Sequence, residues 1–276
     1  MRSALYVPGN RPELFGKALA GPADVVLLDL EDAVPLRDKH SARAEVAAWL
    51  RTVVRPLKPI WVRVDPAELA ADIAAVALPA ITAVCLPKTE SAQQVRAAGA
   101  LLEKYENRPG AIGICALLES ARAILAAPEI AAAPRVARLQ IGEADLRAEL
   151  GITAGPAELE LLAVRSQVVL ASAAAGIAAP LAPVRTDFRA LEALRESTEA
   201  LRRLGFRGRA CIHPAQLPVV NEVFTPSAAD VARARALVRH FESADGGVVL
   251  DAQGRMVDLA VIKQARRVLA EAEDRR

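Results

Sequence analysis

Apolar residues fall along this chain in short dense runs separated by longer stretches of helical spacing. The runs are SALYVP, DVVLLDL, IWVRV, ITAVCLP, AIGICALLE, ARLQIG, APLAPV and RACIHP, eight in all. They are near-continuous rather than alternating, as expected of strands covered on both faces in a parallel sheet. Between them, residues 39–55, 91–105, 158–176 and 188–205 carry the Ala, Leu, Arg and Glu bias and the spacing of amphipathic helices. The repeated unit is strand then helix, and eight such units predict a closed (β/α)8 barrel of the TIM type. A doubly wound sheet would normally use fewer strands.

Past Asn221 the pattern changes. A helix is expected from the Thr225-Pro226-Ser227 stop to about Ser243, then a hairpin in which VVL and MVD flank a DAQG turn, then a final charged helix. The chain thus reads as a barrel at 1–221 and a helix–hairpin–helix lid at 222–276, with Gly246, Gly247 and Gly254 as hinge.

Composition narrows the class. The 276 residues are 53% apolar, enough for one large core, while aromatics are only 3%, which suits an α/β fold better than an aromatic-rich sandwich. A net charge of +2 gives no reason to expect nucleic acid or a membrane surface as partner, so any anion site must be local. Cys85, Cys115 and Cys211 lie inside apolar runs and read as small buried hydrophobes. With no signal-like segment and no apolar stretch of membrane-spanning length, a cytoplasmic location is expected.

In a parallel barrel the carboxyl ends of all strands meet on one face, so polar residues that end different runs converge. Here nearly every run ends in an ionisable group: Asp29-Leu30-Glu31-Asp32, Arg63 and Asp65, Lys88 and Glu90, Glu119, Glu143 and Asp145, Arg185 and Asp187, and His213. Such a set is costly for stability and expected of a catalytic mouth, although some members will merely cap the next helix. Glu119 and Asp145 follow neighbouring strands, and two carboxylates without His or Cys suit a hard cation that keeps waters, Mg2+ rather than zinc. Arg63 sits in a buried run and must point at a carboxylate or an anionic substrate, with Glu31, Asp32 and Lys88 completing the charge set. His40 and His240 read as surface residues, and His213 as packing or supporting.

The blocks RSALYVPGNRPE, DVVLLDLEDAV, VRV, LPKTES, LLES, IGEADL, GFRGRACIHPAQ and GRMVD, in order over almost the whole chain, resemble the citrate lyase beta subunit-like family of the HpcH/HpaI aldolase superfamily. That resemblance implies a Mg2+-dependent barrel, with Mn2+ as substitute, that makes or breaks a carbon–carbon bond in malyl-, methylmalyl- or citramalyl-CoA. The products would be acetyl- or propionyl-CoA plus glyoxylate or pyruvate. It also implies a homotrimer or a hexamer, metal ligation by Glu119 and Asp145, substrate binding by Arg63, and an acid/base at Asp258 delivered by the C-terminal lid. The PGNRPELFGK block resembles the coenzyme A side, which points to Arg11 and Lys17. Departures from the family pattern are Asp65, where Asn is frequent, and Arg185 in APVRTDF. Readings that stay open are a citrate lyase beta subunit acting on a carrier-protein thioester, a CoA-independent aldolase, and a non-catalytic barrel that binds CoA esters.

Overall fold

The computed structural model describes residues 1–243, 249–250 and 254–273. All eight apolar runs form strands: β1 (Ser3–Pro8), β2 (Val25–Asp29), β3 (Ile60–Arg63), β4 (Ala83–Leu86), β5 (Gly113–Leu118), β6 (Val136–Ile141), β7 (Ala178–Leu181) and β8 (Arg209–Cys211). They pair in parallel in the order β7-β6-β5-β4-β3-β2-β1-β8. A parallel bridge between Ala182 and Arg209 closes the ring, with Ala182 N donating to Gly208 O at 2.8 Å and Ala210 N to Ala182 O at 3.0 Å. The expected eight-stranded barrel is the observed one.

The chain returns from strand to strand through α1 (Phe15–Ala20), α2 (Lys39–Thr52), α3 (Leu69–Val76), α4 (Ala92–Tyr105), α5 (Ala121–Leu125) and α6 (Ala127–Ala131). It continues through α7 (Glu143–Leu150), α8 (Leu162–Ala174), α9 (Leu191–Leu204) and α10 (Leu217–Val223). Residues alternate between the barrel lumen and this helical layer, so each strand is apolar on both faces. One buried cluster holds Ala4, Val25, Leu27, Trp61, Ala83, Cys85, Cys115, Leu117, Leu181 and Ala210, which lie two apart along their strands. Continuing that parity to the carboxyl ends brings Asp29, Arg63 and Glu119 onto the same side. All three cysteines are free and buried, as their apolar settings predicted.

Helix α4 shows how local sequence sets an element's start. Ser91 Oγ accepts from Gln94 N at 3.3 Å while Gln94 Oε1 accepts from Ser91 N at 3.0 Å, a reciprocal capping box. The helix expected from residue 158 begins later. Glu158 adopts φ +50°, which cannot continue a helix, and a 3-10 turn at Leu159–Leu161 precedes α8. After β5 the return is split at Ala126 into two five-residue helices, with Pro128 opening the second.

The chain divides into two compact units, Met1–Asn221 and Glu222–Arg276. The second contains α11 (Ala228–Ser243), an antiparallel pair β9 (Val249–Leu250) and β10 (Met256–Val257), and α12 (Leu259–Glu273). Phe241, Val257 and Ile262 form its core, with Leu237, Val238 and Val261 packed against them. Most of the DAQG turn and the Gly246-Gly247 pair lie outside the described residues, while Gly254 has φ +72°. Among the described residues no helix is long and apolar enough to cross a membrane.

Replacing Ser91 by Ala leaves one donor of the first turn of α4 without a partner. The expected outcome is a loss of about 1 kcal/mol in denaturant unfolding, with an unchanged slope.

Candidate active site

The mouth of the barrel is organised by a buried ion pair. Asp29 and Arg63 end neighbouring strands as register partners, so their side chains meet on the lumen side. Arg63 Nε donates to Asp29 Oδ1 at 2.7 Å and Nη2 to Oδ2 at 2.5 Å, a bidentate fork. Asp29 also accepts the backbone N–H groups of Glu31 (2.9 Å) and Ala33 (3.1 Å), which shapes the turn after β2. The Tyr6 ring lies 4.9 Å from the guanidinium carbon. Burial would weaken the charge on Arg63, but the Asp29 carboxylate holds the guanidinium pKa well above its usual value.

The remaining edge of the guanidinium faces two more acids. Arg63 Nη1 is 2.9 Å from Glu31 Oε2 and 3.3 Å from Asp32 Oδ2. Lys88 Nζ approaches the other oxygen of Glu31 at 2.8 Å. These contacts to Glu31 are ion pairs rather than well-aligned hydrogen bonds, since both carboxylate oxygens are buried without a hydrogen-bond partner. Burial, followed by the Asp32 charge, raises the Glu31 pKa against the pull of Arg63 and Lys88. Lys39 fixes the same turn from behind, donating to Leu30 O at 2.8 Å and Glu31 O at 2.6 Å while pairing with Asp65 at 2.7 Å.

Glu119 follows β5 and is only 7% exposed. Lys88 holds a left-handed backbone (φ +51°), and its N–H donates to Glu119 Oε2 at 2.9 Å. Strained backbone of this kind concentrates at functional sites. No Lys or Arg side chain among the described residues pairs with Glu119. Burial first, then the charges of Glu31 and Asp145, push its pKa up to about 7. Gly142, just after β6, makes room for it: a Cβ at that position would lie 2.5 Å from Glu119 Cγ. Asp145 stands in the first turn of α7, exposed and near enough for its charge to reach Glu119.

Five carboxylates, Asp29, Glu31, Asp32, Glu119 and Asp145, therefore gather around two cationic side chains, Arg63 and Lys88. The excess negative charge, the unpaired buried Glu119 and the all-oxygen donors fit a hard divalent cation held by Glu119 and Asp145. Among the described residues no group of three or more His, Cys, Asp and Glu is placed to hold a metal, so waters or substrate oxygens must complete the shell.

The structure thus brings together Glu31, Asp32, Arg63, Lys88, Glu119 and Asp145. Other expected residues lie elsewhere. Arg11 is exposed and pairs with Glu13 at 2.5 Å, and Lys17 is exposed on α1. Glu143 is bound by Arg165 at 2.6 Å, Glu90 accepts from Ser120 at 2.6 Å, and Asp65 caps the next turn through Ala67 N at 2.9 Å. His213 caps its turn through Ala215 N at 3.1 Å and stacks on Phe188 at 4.4 Å, a packing role. His40 and His240 are exposed. Asp258, in the second unit, caps α12: its Oδ1 accepts from Ala260 N at 2.9 Å and Val261 N at 3.1 Å.

Three contributors escaped the sequence reading: Tyr6 and Gly142, platform and spacer to Arg63 and Glu119, and Lys39, which anchors the turn. Asp29 stood among the ionisable strand ends but was not singled out as the partner of Arg63, although it shares the lumen parity of Val25 and Leu27.

The HpcH/HpaI aldolase/citrate lyase family model matches residues 2–214. The chain belongs to this family. A citrate lyase subunit beta-like protein of Deinococcus radiodurans is 36% identical over 98% of this chain and 96% of its own length. A (3S)-malyl-CoA thioesterase of Cereibacter sphaeroides is 35% identical over 99% of this chain and 94% of its own. Among solved structures, the CitE protein of Mycobacterium tuberculosis in complex with magnesium, acetoacetate and coenzyme A superposes with a TM-score of 0.79 at 34% identity. That match covers 99% of this chain and 98% of the other. Family membership makes this barrel a lyase- and aldolase-type scaffold.

Asp29→Ala would strand the buried guanidinium, and the expected cost is about 3–5 kcal/mol in denaturant unfolding. For Glu119 the folded pKa of about 7 exceeds the unfolded value near 4.5, so its favourable contribution is present below pH 4.5 and lost as pH rises through 7. In EDTA, the protein should lose on the order of 2–3 kcal/mol between pH 5 and pH 8 through this group, and Glu119→Gln should flatten that slope.

Proposed function

We propose that this protein is a Mg2+-dependent carbon–carbon lyase acting on a 2-hydroxy acid thioester of coenzyme A, such as malyl-, methylmalyl- or citramalyl-CoA. The observation that carries this reading is Glu119: a buried carboxylate without a cationic side-chain partner among the described residues, pushed up to about 7 beside further acids. Relatives whose names include citrate lyase beta and malyl-CoA, and a neighbour that holds magnesium and coenzyme A, support the same reading.

Glu119 and Asp145 would hold the Mg2+ ion, which would supply Lewis-acid stabilisation of the negative charge on the substrate's hydroxyl oxygen as that oxygen loses its proton. Arg63 is locked by Asp29, so its Nη1 edge is presented without reorganisation to the substrate carboxylate, where it competes with Glu31 and Asp32. Lys88 adds a second, half-exposed positive charge at the same mouth. The substrate hydroxyl would give up its proton to solvent, the electron pair of the broken carbon–carbon bond would pass to the thioester α-carbon as an enolate, and a carboxylic acid would return one proton to that carbon. Asp258 is the proposed donor. Its Oδ1 is spent on the α12 cap, while Oδ2 accepts no hydrogen bond among the described residues. A C-terminal unit acting as a lid would shield the enolate from water. In this reading Arg11 and Lys17 contact the coenzyme A portion, and the protein works as a homotrimer or hexamer in the cytoplasm.

The thioesterase name of one relative favours a second reading, hydrolysis of the thioester. Both are tested by incubating the purified protein with malyl-CoA, methylmalyl-CoA and citramalyl-CoA, with Mg2+ or with EDTA, and following keto acid and free thiol separately. Metal-dependent glyoxylate or pyruvate without thiol is expected. Thiol release without keto acid would establish hydrolysis instead, and silence on all three substrates would sink the CoA lyase reading in favour of a carrier-protein thioester or a free hydroxy-oxo acid. Asp258→Asn should retain Mg2+ affinity yet lose at least about a hundredfold in kcat.

A further inference from the structure

A cavity of about 1020 Å³ lies between α7, the segment 152–158, the turn after β7 and α9. Neither Glu119 nor Arg63 lines it, so it is separate from the carboxylate cluster. Its walls are rich in arginine, and the way those arginines are paired is unusual.

Arg209 is 3% exposed, yet it has no carboxylate partner among the described residues. Its Nε donates to Pro183 O at 3.0 Å, and its Nη1 to Ser197 Oγ at 2.7 Å and Thr198 Oγ1 at 2.8 Å. Neutral oxygens hold the guanidinium in place but do not balance its charge, and burial pulls its pKa down to about 10. Arg185 is tethered only loosely, its Nη1 3.6 Å from Glu158, and its Nε is buried with no hydrogen-bond partner. The side chain of Arg147, on the same cavity wall, makes no ion pair or hydrogen bond among the described residues.

Three acids on the walls are already committed. Arg165 takes Glu143 through two hydrogen bonds of 2.6 and 2.8 Å and Glu158 through one of 2.7 Å. Asp187 accepts the backbone N–H groups of Arg189 at 3.1 Å and Ala190 at 3.3 Å. A desolvated guanidinium without a counter-ion is costly, and planar N–H forks match carboxylate and phosphate oxygens two at a time.

We propose that this cavity binds a small, multiply charged oxyanion, a carboxylate- or phosphate-bearing molecule, held by Arg185 and Arg209 with Arg147 as a third donor. The ligand would rest against α7, the helix that also carries Asp145, and the inference does not depend on the lyase reading.

The test is calorimetric titration of the full chain in EDTA with pyrophosphate and, separately, with malonate. Saturable binding of either is expected, with a dissociation constant of about 1 mM or tighter, and the preferred probe identifies phosphate or carboxylate as the ligand group. Arg185→Gln and Arg147→Gln, each checked for an unchanged melting temperature, should weaken binding about tenfold or more, while Glu119→Gln should leave it unchanged. Absence of saturation by about 10 mM for both probes, parent-like binding in both arginine variants, or loss of binding in Glu119→Gln would overturn the proposal.

Discussion

Arg63 and Asp29 face each other at the ends of adjacent parallel strands, and the mouth of the barrel is arranged around that pair. A guanidinium at this depth is tolerable only with a carboxylate locked to it. Once locked, its free edge attracts Glu31 and Asp32, and Glu31 in turn recruits Lys88. The backbone of Lys88 then grips Glu119. One buried pair thus organises residues from four successive strand ends, which is why a single substitution at Asp29 would be felt across the site.

The same arrangement leaves too much negative charge for the protein's own cations to balance. Glu119 bears the consequence, since burial and its acidic neighbours both oppose its ionisation. A divalent cation removes the conflict, and the missing Cβ of Gly142 is what lets the Glu119 side chain pack where it does. The arginine-lined cavity beside α7 shows the opposite imbalance, with Arg209 buried among neutral oxygens. Anion and cation requirements therefore fall on separate surfaces of the same barrel, with α7 between them.

The eight strands were legible because strands covered on both faces need uninterrupted apolar residues, a constraint written locally into each run. The start of α4 was legible for a similar reason: the Ser91 to Gln94 spacing is itself the capping geometry. Glu158 was not, because its left-handed conformation accompanies contacts with Arg165 and Arg185, partners that only the fold brings near.

Within the site, residue types at strand ends identified Glu31, Asp32, Arg63, Lys88, Glu119 and Asp145, since ionisable groups ending buried strands of a barrel converge on one face. Spacing could not rank them. That Asp29 rather than Glu31 is the bidentate partner of Arg63 follows from strand register, and the cavity formed by α7, α9 and the segment between residues 152 and 158 follows from how separate elements pack. Burial patterns are local and survive in one dimension. Pairing geometry, pKa and cavities depend on distances between residues far apart in the chain, and only the tertiary structure sets those.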